Sequence, residues 1–125
     1  MKKTKTKIRK QLERKINNEL IETIISAKKN DKWKEVASFL SGPRKNRINL
    51  NIGEINKKAK EGEIIVIPGK VLSHGELNKK MKIVAFAFSE RAKEKIEEAK
   101  SSAEKILNEI KKNPEAKGIR ILTEE

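Results

Sequence analysis

Two short apolar runs limit what this chain can fold into. Ile64-Ile-Val-Ile67 is an unbroken β-branched stretch, and Ile83 to Phe88 is a second continuous apolar run. A strand with one solvated face would alternate apolar and polar residues. A strand covered on both faces reads as a continuous apolar run, so both segments predict buried strands. A helical pattern precedes the first run and another follows the second. This alternation, from Asn51 onward, argues for an α/β layer rather than a helix bundle.

The rest of the chain organises around those strands. Residues 1–7 (MKKTKTK) read as a flexible basic arm, and 8–125 as a single domain. Ile8, Leu12, Ile16, Leu20, Ile21, Ile24 and Ile25 recur at helical spacing and predict one amphipathic helix from Ile8 to Lys29. Asp31 is placed to N-cap a second helix bearing Trp33, Val36, Ala37 and Leu40, stopped by Gly42-Pro43. A short extended piece from Ile48 feeds a third helix through Ile52, Ile55 and Ala59, with Asn51 as a candidate cap. Pro68-Gly69 predicts a turn after the first strand, and Lys70 to Leu72 re-extends. Residues 73–80 read as a loop. Ser89 caps a helix carrying Ala92, Ile96 and Ala99. Ser101 with Glu104 fits a capping box and predicts a further helix along Ala103, Ile106, Leu107 and Ile110. Asn113-Pro114 ends it, and Gly118 precedes a last strand, Ile119 to Leu122. The predicted class is therefore α/β, with N-terminal helices followed by a layered domain.

Only 35% of the residues are hydrophobic and 3% aromatic, so the core must be small and built from Ile, Leu, Val and Ala. There are no cysteines, which excludes disulfides, thiolate metal sites and thiol nucleophiles. The charged N-terminus has no apolar segment after it, and the longest apolar run is far short of a membrane-spanning helix. A soluble, cytoplasmic protein without a membrane partner is expected.

Charge is distributed unevenly. Residues 90–125 hold nine Lys/Arg and nine Asp/Glu, so the formal net charge of +13 lies entirely in residues 1–89. That exceeds the magnitude of about 2–8 that solubility asks of a small domain. It points to a polyanion-binding front half, because neutralising phosphates releases counterions. Three basic groups stand out. Arg9, Lys10, Arg14 and Lys15 ride one face of the first helix. Arg44, Lys45 and Arg47 lie in a loop with Asn46, Asn49 and Asn51. Lys70, His74, Lys79 and Lys80 lie in or beside the loop between the two apolar strands. Arginine forks and glycine-rich backbone suit phosphate and sugar surfaces. Trp33, Phe86 and Phe88 occupy apolar positions, so base stacking on an open aromatic sheet is not expected, and the target predicted is folded RNA.

Catalysis finds no support in the sequence. His74 is the single histidine; alone it cannot complete a zinc or iron site, and no cysteine is available to help. Glu94, Glu97 and Glu98 beside Lys93, Lys95 and Lys100 read as a solvated helix face. No glycine-rich phosphate loop is present, and Pro68-Gly69-Lys70 lacks the rest of such a motif. No enzyme activity, cofactor, metal or small-molecule substrate is expected.

Two stretches carry a family resemblance. Leu40-Ser-Gly-Pro-Arg-Lys-Asn-Arg-Ile-Asn-Leu-Asn-Ile-Gly-Glu-Ile55 resembles the basic Pro-Arg segment of the archaeal and eukaryotic large-subunit ribosomal protein eighteen-e family. Ile65-Val-Ile-Pro-Gly-Lys-Val-Leu-Ser-His-Gly-Glu-Leu77 resembles its Val-Pro-Gly-Lys-Val-Leu-Gly segment. The pattern from Ile83 to Ile96, and then Asn113-Pro114-Glu115 with Gly118-Ile-Arg-Ile121, continue the likeness in order. The resemblance implies a structural constituent of the large ribosomal subunit, bound to 23S-type ribosomal RNA beside neighbouring ribosomal proteins. It also implies an irregular β-β-α superhelix, shared with the bacterial fifteenth large-subunit protein. By position, Pro43, Arg44, Arg47, Pro68, Gly69, Lys70 and Gly75 match the family's RNA-facing loops. Glu54 departs from it, since a basic residue is common there. The absence of long basic extensions suits an archaeal source. The rival reading from composition is a free RNA-binding regulatory protein.

Overall fold

The computed structural model describes residues 18–41 and 48–123. A helix over 18–28 (α1) is followed by a 3-10 turn at Asp31–Trp33 and α2, Lys34–Ser41. Then come β1 (Ile48–Asn51), α3 (Ile52–Lys58), β2 (Ile64–Leu72), β3 (Lys82–Phe88), α4 (Glu90–Glu98), β4 (Ser102–Lys105), α5 (Ile106–Lys112) and β5 (Ile119–Ile121). All strand pairings are parallel. The order across the sheet is β1-β2-β3-β4, with β5 also paired to β2. The two apolar runs form the two central strands, as continuous burial on both faces requires.

The faces of the sheet own separate cores. Leu50, Ile65, Ile67, Val71, Ile83 and Ala85 pack against Ile52, Ile55 and Ala59 of α3, Ala92 and Ile96 of α4, and Leu77 and Met81 of the 73–81 connection. Val66 and Val84 point the other way. They pack with Ala27 of α1, with Trp33, with Val36, Ala37 and Leu40 of α2, and with Ile106 and Ile110 of α5. Strand residues alternate sides with period two, so one apolar run supplies both cores.

Three sequence expectations are corrected. Pro68-Gly69 does not turn the chain: β2 runs through it. Between the pairs Ile67↔Ala85 and Lys70↔Ala87, three steps along β2 match two along β3, so the Pro-Gly pair is a bulge. Proline offers no N–H to a ladder, and a bulge tolerates that. Gly69 faces Ile48 so closely that a Cβ there would sit 1.6 Å from the Ile48 carbonyl oxygen. Along that side of β2, β5 pairs with Ile64–Val66 and β1 with Gly69–Leu72, so the bulge separates the two partners.

Second, Ser101 and Glu104 do not open a helix. Residues 102–105 form β4, and α5 starts only at Ile106. The Ser101 hydroxyl instead accepts from Met81 N at 3.0 Å and donates to the Lys79 carbonyl at 2.8 Å. Pairing with β3 outweighed the local capping signal. Third, Asp31 is not the cap of α2. It lies inside the 3-10 turn and pairs with Lys34 at 3.0 Å, while the Asn30 amide donates back to the Ser26 carbonyl. Ser89 does cap α4, accepting from Ala92 N at 3.2 Å. The expected helix through Ile8 has its residues 18–28 helical, and its start lies outside the described residues.

Candidate nucleic-acid interface

The basic groups of the sequence can be placed only in part. Arg9, Lys10, Arg14, Lys15, Arg44, Lys45 and Arg47 lie outside the described residues. Gly69, by admitting the Ile48 carbonyl, fixes where β1 begins against β2. Asn49 of β1 stands in register with Lys70 of β2. Both are exposed, and in-register neighbours project to the same face. They lie opposite Leu50 and Val71, which are fully buried.

The loop after β2 is held by its backbone. Asn51 ends β1 and does not cap α3 with its side chain. Instead its side-chain Oδ1 accepts from His74 N at 3.1 Å, and its Nδ2 donates to Glu54 Oε1 at 3.3 Å. The His74 carbonyl in turn accepts from Gly53 N at 3.0 Å. Gly53 and Gly75 pass back to back: a Cβ on Gly75 would lie 2.6 Å from Gly53 Cα. Gly75 also has φ +92°, a conformation that disfavours side chains. The close backbone approach at Gly75 is thus to Gly53 within the protein. From α4, the Lys95 ammonium donates to the carbonyls of Ser73 at 2.8 Å and Gly75 at 3.0 Å. The Ser73 and Gly75 carbonyls have no helix or ladder to satisfy them, and a part-buried charged donor does so. The result is a rigid loop presenting an exposed His74 side chain.

Further along, Lys79 turns inward. Its ammonium donates to the Asn56 and Ala59 carbonyls at 2.7 and 2.9 Å, closing the C-terminal end of α3. Lys80 is exposed, and its carbonyl accepts from Gly62 N. The structure therefore gathers Asn49, Lys70 and His74 at the β1 end of the sheet, keeps Lys80 at the surface, and employs Lys79 in bracing. Glu54, at the position where the resemblance leads one to expect a basic residue, orients Asn51.

Sequence reasoning missed Lys95, which it placed on a solvated helix face. Helical periodicity could not have found it, because its partner is a loop 20 residues upstream in the chain. It also missed Glu109, which is fully buried on α5 and pairs with Lys82 at 2.6 Å. The paired glycines Gly53 and Gly75 were the available signal for a close backbone crossing.

Among the described residues, no group of three or more His, Cys, Asp or Glu is placed to hold a metal. Two titrations among the described residues are displaced, and both lie away from this loop. The hydrogen bond from Lys112 holds Glu104 below its ordinary value, and the same bond raises Lys112. No helix among the described residues is long and apolar enough to cross a membrane.

Known proteins resemble this arrangement at the level of sequence. Residues 49–104 match the family model described as "Ribosomal proteins 50S-L15, 50S-L18e, 60S-L27A". That span runs from β1 into β4 and contains the whole braced loop. The large ribosomal subunit protein eL18 of Archaeoglobus fulgidus is 43% identical over 90 residues, covering 72% of this chain and 77% of that protein. Its counterparts in Pyrobaculum aerophilum and Methanoregula boonei are 40% and 42% identical, each over 72% of this chain and 74% of the relative. Identity at that level over most of both chains places this protein in the large-subunit ribosomal protein family of 50S-L15 and 50S-L18e.

Proposed function

We propose that the chain is a non-catalytic constituent of the large ribosomal subunit in the cytoplasm. It binds folded 23S-type ribosomal RNA through its basic N-terminal region, the 43–49 segment and the exposed residues of the β1 end. Neighbouring ribosomal proteins complete its surroundings. The observation that carries this reading is the confinement of the +13 charge to residues 1–89. The exposed Asn49, Lys70 and His74 lie together at the β1 end of the sheet, and Arg44 and Arg47 stand close to Asn49 in the sequence, which supports one continuous contact. The Lys95 and Asn51 bonds support a contact surface organised before RNA arrives, which lowers the entropy lost on binding.

Binding to a 23S-type rRNA fragment, measured across a salt series, tests the reading. With six to ten phosphates neutralised, affinity falls by roughly 10³–10⁵ between 50 and 200 mM salt. Replacing Arg44 and Arg47 with Ala weakens binding and leaves the melting temperature nearly unchanged, as charges that serve RNA rather than the fold would. A salt-independent affinity, or equal losses in binding and folding, overturns it.

A further inference from the structure

Among the described residues the sheet is incomplete on one side. β3 runs to Phe88, but β4 pairs only with Lys82 to Ala85. Beyond Ala85, β3 has β2 on one side, through Ala87↔Lys70 and Phe88↔Val71, and no strand on the other among the described residues. The opposite side of β2 is completed differently: β5 covers its first part and β1 its second. The described residues fill on one flank the position that they leave open on the other.

That open position is a groove of about 470 Å³, with half-buried Phe86, Ala87 and Phe88 along it and Ala103 of β4 at its end. A second cavity of about 190 Å³ continues from Phe86 toward α1 and α5. The charge here differs from that of the front half. Glu19, Glu22, Glu97 and Glu104 line the two cavities against Lys93 and Lys105. Glu104 is taken by Lys112, and Glu19 lies 3.5 Å from Lys105. Glu22 and Glu97 stay exposed at the two ends, in no ion pair among the described residues. A polyanion gains nothing from such a lining, whereas cationic side chains do.

We propose that this groove receives an extended, basic segment of a neighbouring protein, which adds as a short strand beside Phe86–Phe88 in line with β4. Main-chain hydrogen bonds supply the attraction, and Glu22 and Glu97 select basic side chains. β1 fills the corresponding place on the other flank with four residues. A segment of that length spans about 13 Å. This inference does not use the rRNA reading, whose described residues Asn49, Lys70 and His74 lie at the β1 flank.

The test uses the isotope-labelled full chain and the peptide acetyl-Lys-Val-Thr-Val-Lys-amide. Its acidic analogue, with Glu for each Lys, and an analogue with Pro for the central Thr serve as comparisons. The basic peptide shifts the backbone resonances of residues 86–88 and 103–105, with a Kd of about 1 mM or tighter. The acidic and proline analogues bind at least about tenfold more weakly. Glu22→Gln with Glu97→Gln weakens the basic peptide by about fivefold and leaves rRNA affinity intact, which separates this site from the rRNA face. Four results overturn the proposal: no shifts at about 10 mM peptide, equal binding of the acidic analogue, the same resonances moved by rRNA, or peptide binding that appears only after deletion of residues 1–7. The last would make the chain's own arm the occupant.

Discussion

The α3/α4 face of the sheet and the α2/α5 face are built from the same two strands but are held by different forces. The first has no fully buried aromatic ring. It covers a loop, and it is tied by polar groups: Asn51 to His74 N, Lys95 to Ser73 and Gly75, Lys79 to Asn56 and Ala59, and Ser101 to Met81 and Lys79. The second packs helices around Trp33, whose indole donates to the Asn113 carbonyl at 3.0 Å. A helix satisfies its own backbone and needs only apolar side chains against it. A loop does not, so the side chains around it must supply the missing donors. The family match, residues 49–104, contains the loop, its polar ties and the glycine crossing. The packed face draws on residues before and after it.

The contrast can be broken hardest at Gly69. A Cβ there would meet the Ile48 carbonyl at 1.6 Å, so Gly69→Ala must displace β1. We expect a loss above about 4 kcal/mol in chemical denaturation. Gly62→Ala is the matched control, with φ +85° but open space around it, and costs about 1–2 kcal/mol. Equal losses would mean that backbone conformation, and not the β1 contact, governs both.

Next in size is Trp33→Ala. On the packed face it removes a fully buried ring and costs about 3–5 kcal/mol. Hydrogen exchange of the 73–76 amides should rise no faster than global unfolding requires. A selective opening of that loop would show that the two faces are not separate.

Lys95→Met tests the polar face. It leaves two loop carbonyls without their donor and costs about 1.5–3 kcal/mol, while Lys93→Met on the exposed side of α4 stays within about 0.5 kcal/mol. Amide exchange should accelerate at 73–76 in the first variant only. Similar values for the two lysines would mean that Lys95 is an ordinary surface residue.

The smallest effect is a pH dependence at Glu104–Lys112, on neither loop nor core. Hydrogen bonding to Lys112 lowers the folded-state pKa of Glu104 below 4.5. Its stabilisation is therefore present above the unfolded carboxylate pKa and is lost as pH falls through the lower folded value. Lys112 is raised by the same bond, so its share is present below the ordinary lysine value of 10.5 and is lost as pH rises through the raised one. Glu104→Gln should flatten the acid limb of a stability–pH curve and leave the neutral region almost unchanged. An unaltered acid limb would remove the pair from the account.

By itself the sequence determined the class of the fold, the two central strands, the α4 cap at Ser89, the end of α5 at Asn113-Pro114 and the asymmetry of charge. Each is a local signal: a continuous apolar run, a hydroxyl before a helix, a proline, a count of ionised groups. Tertiary structure alone decided that Pro68-Gly69 is a bulge and that residues 102–105 pair as a strand. It also turned Lys79 and Lys95 toward carbonyls about 20 residues away in the chain. Propensity registers what a residue does among its neighbours in sequence. A bulge exists only when a second strand lies alongside, and an ammonium turns inward only when folding brings it an unsatisfied carbonyl.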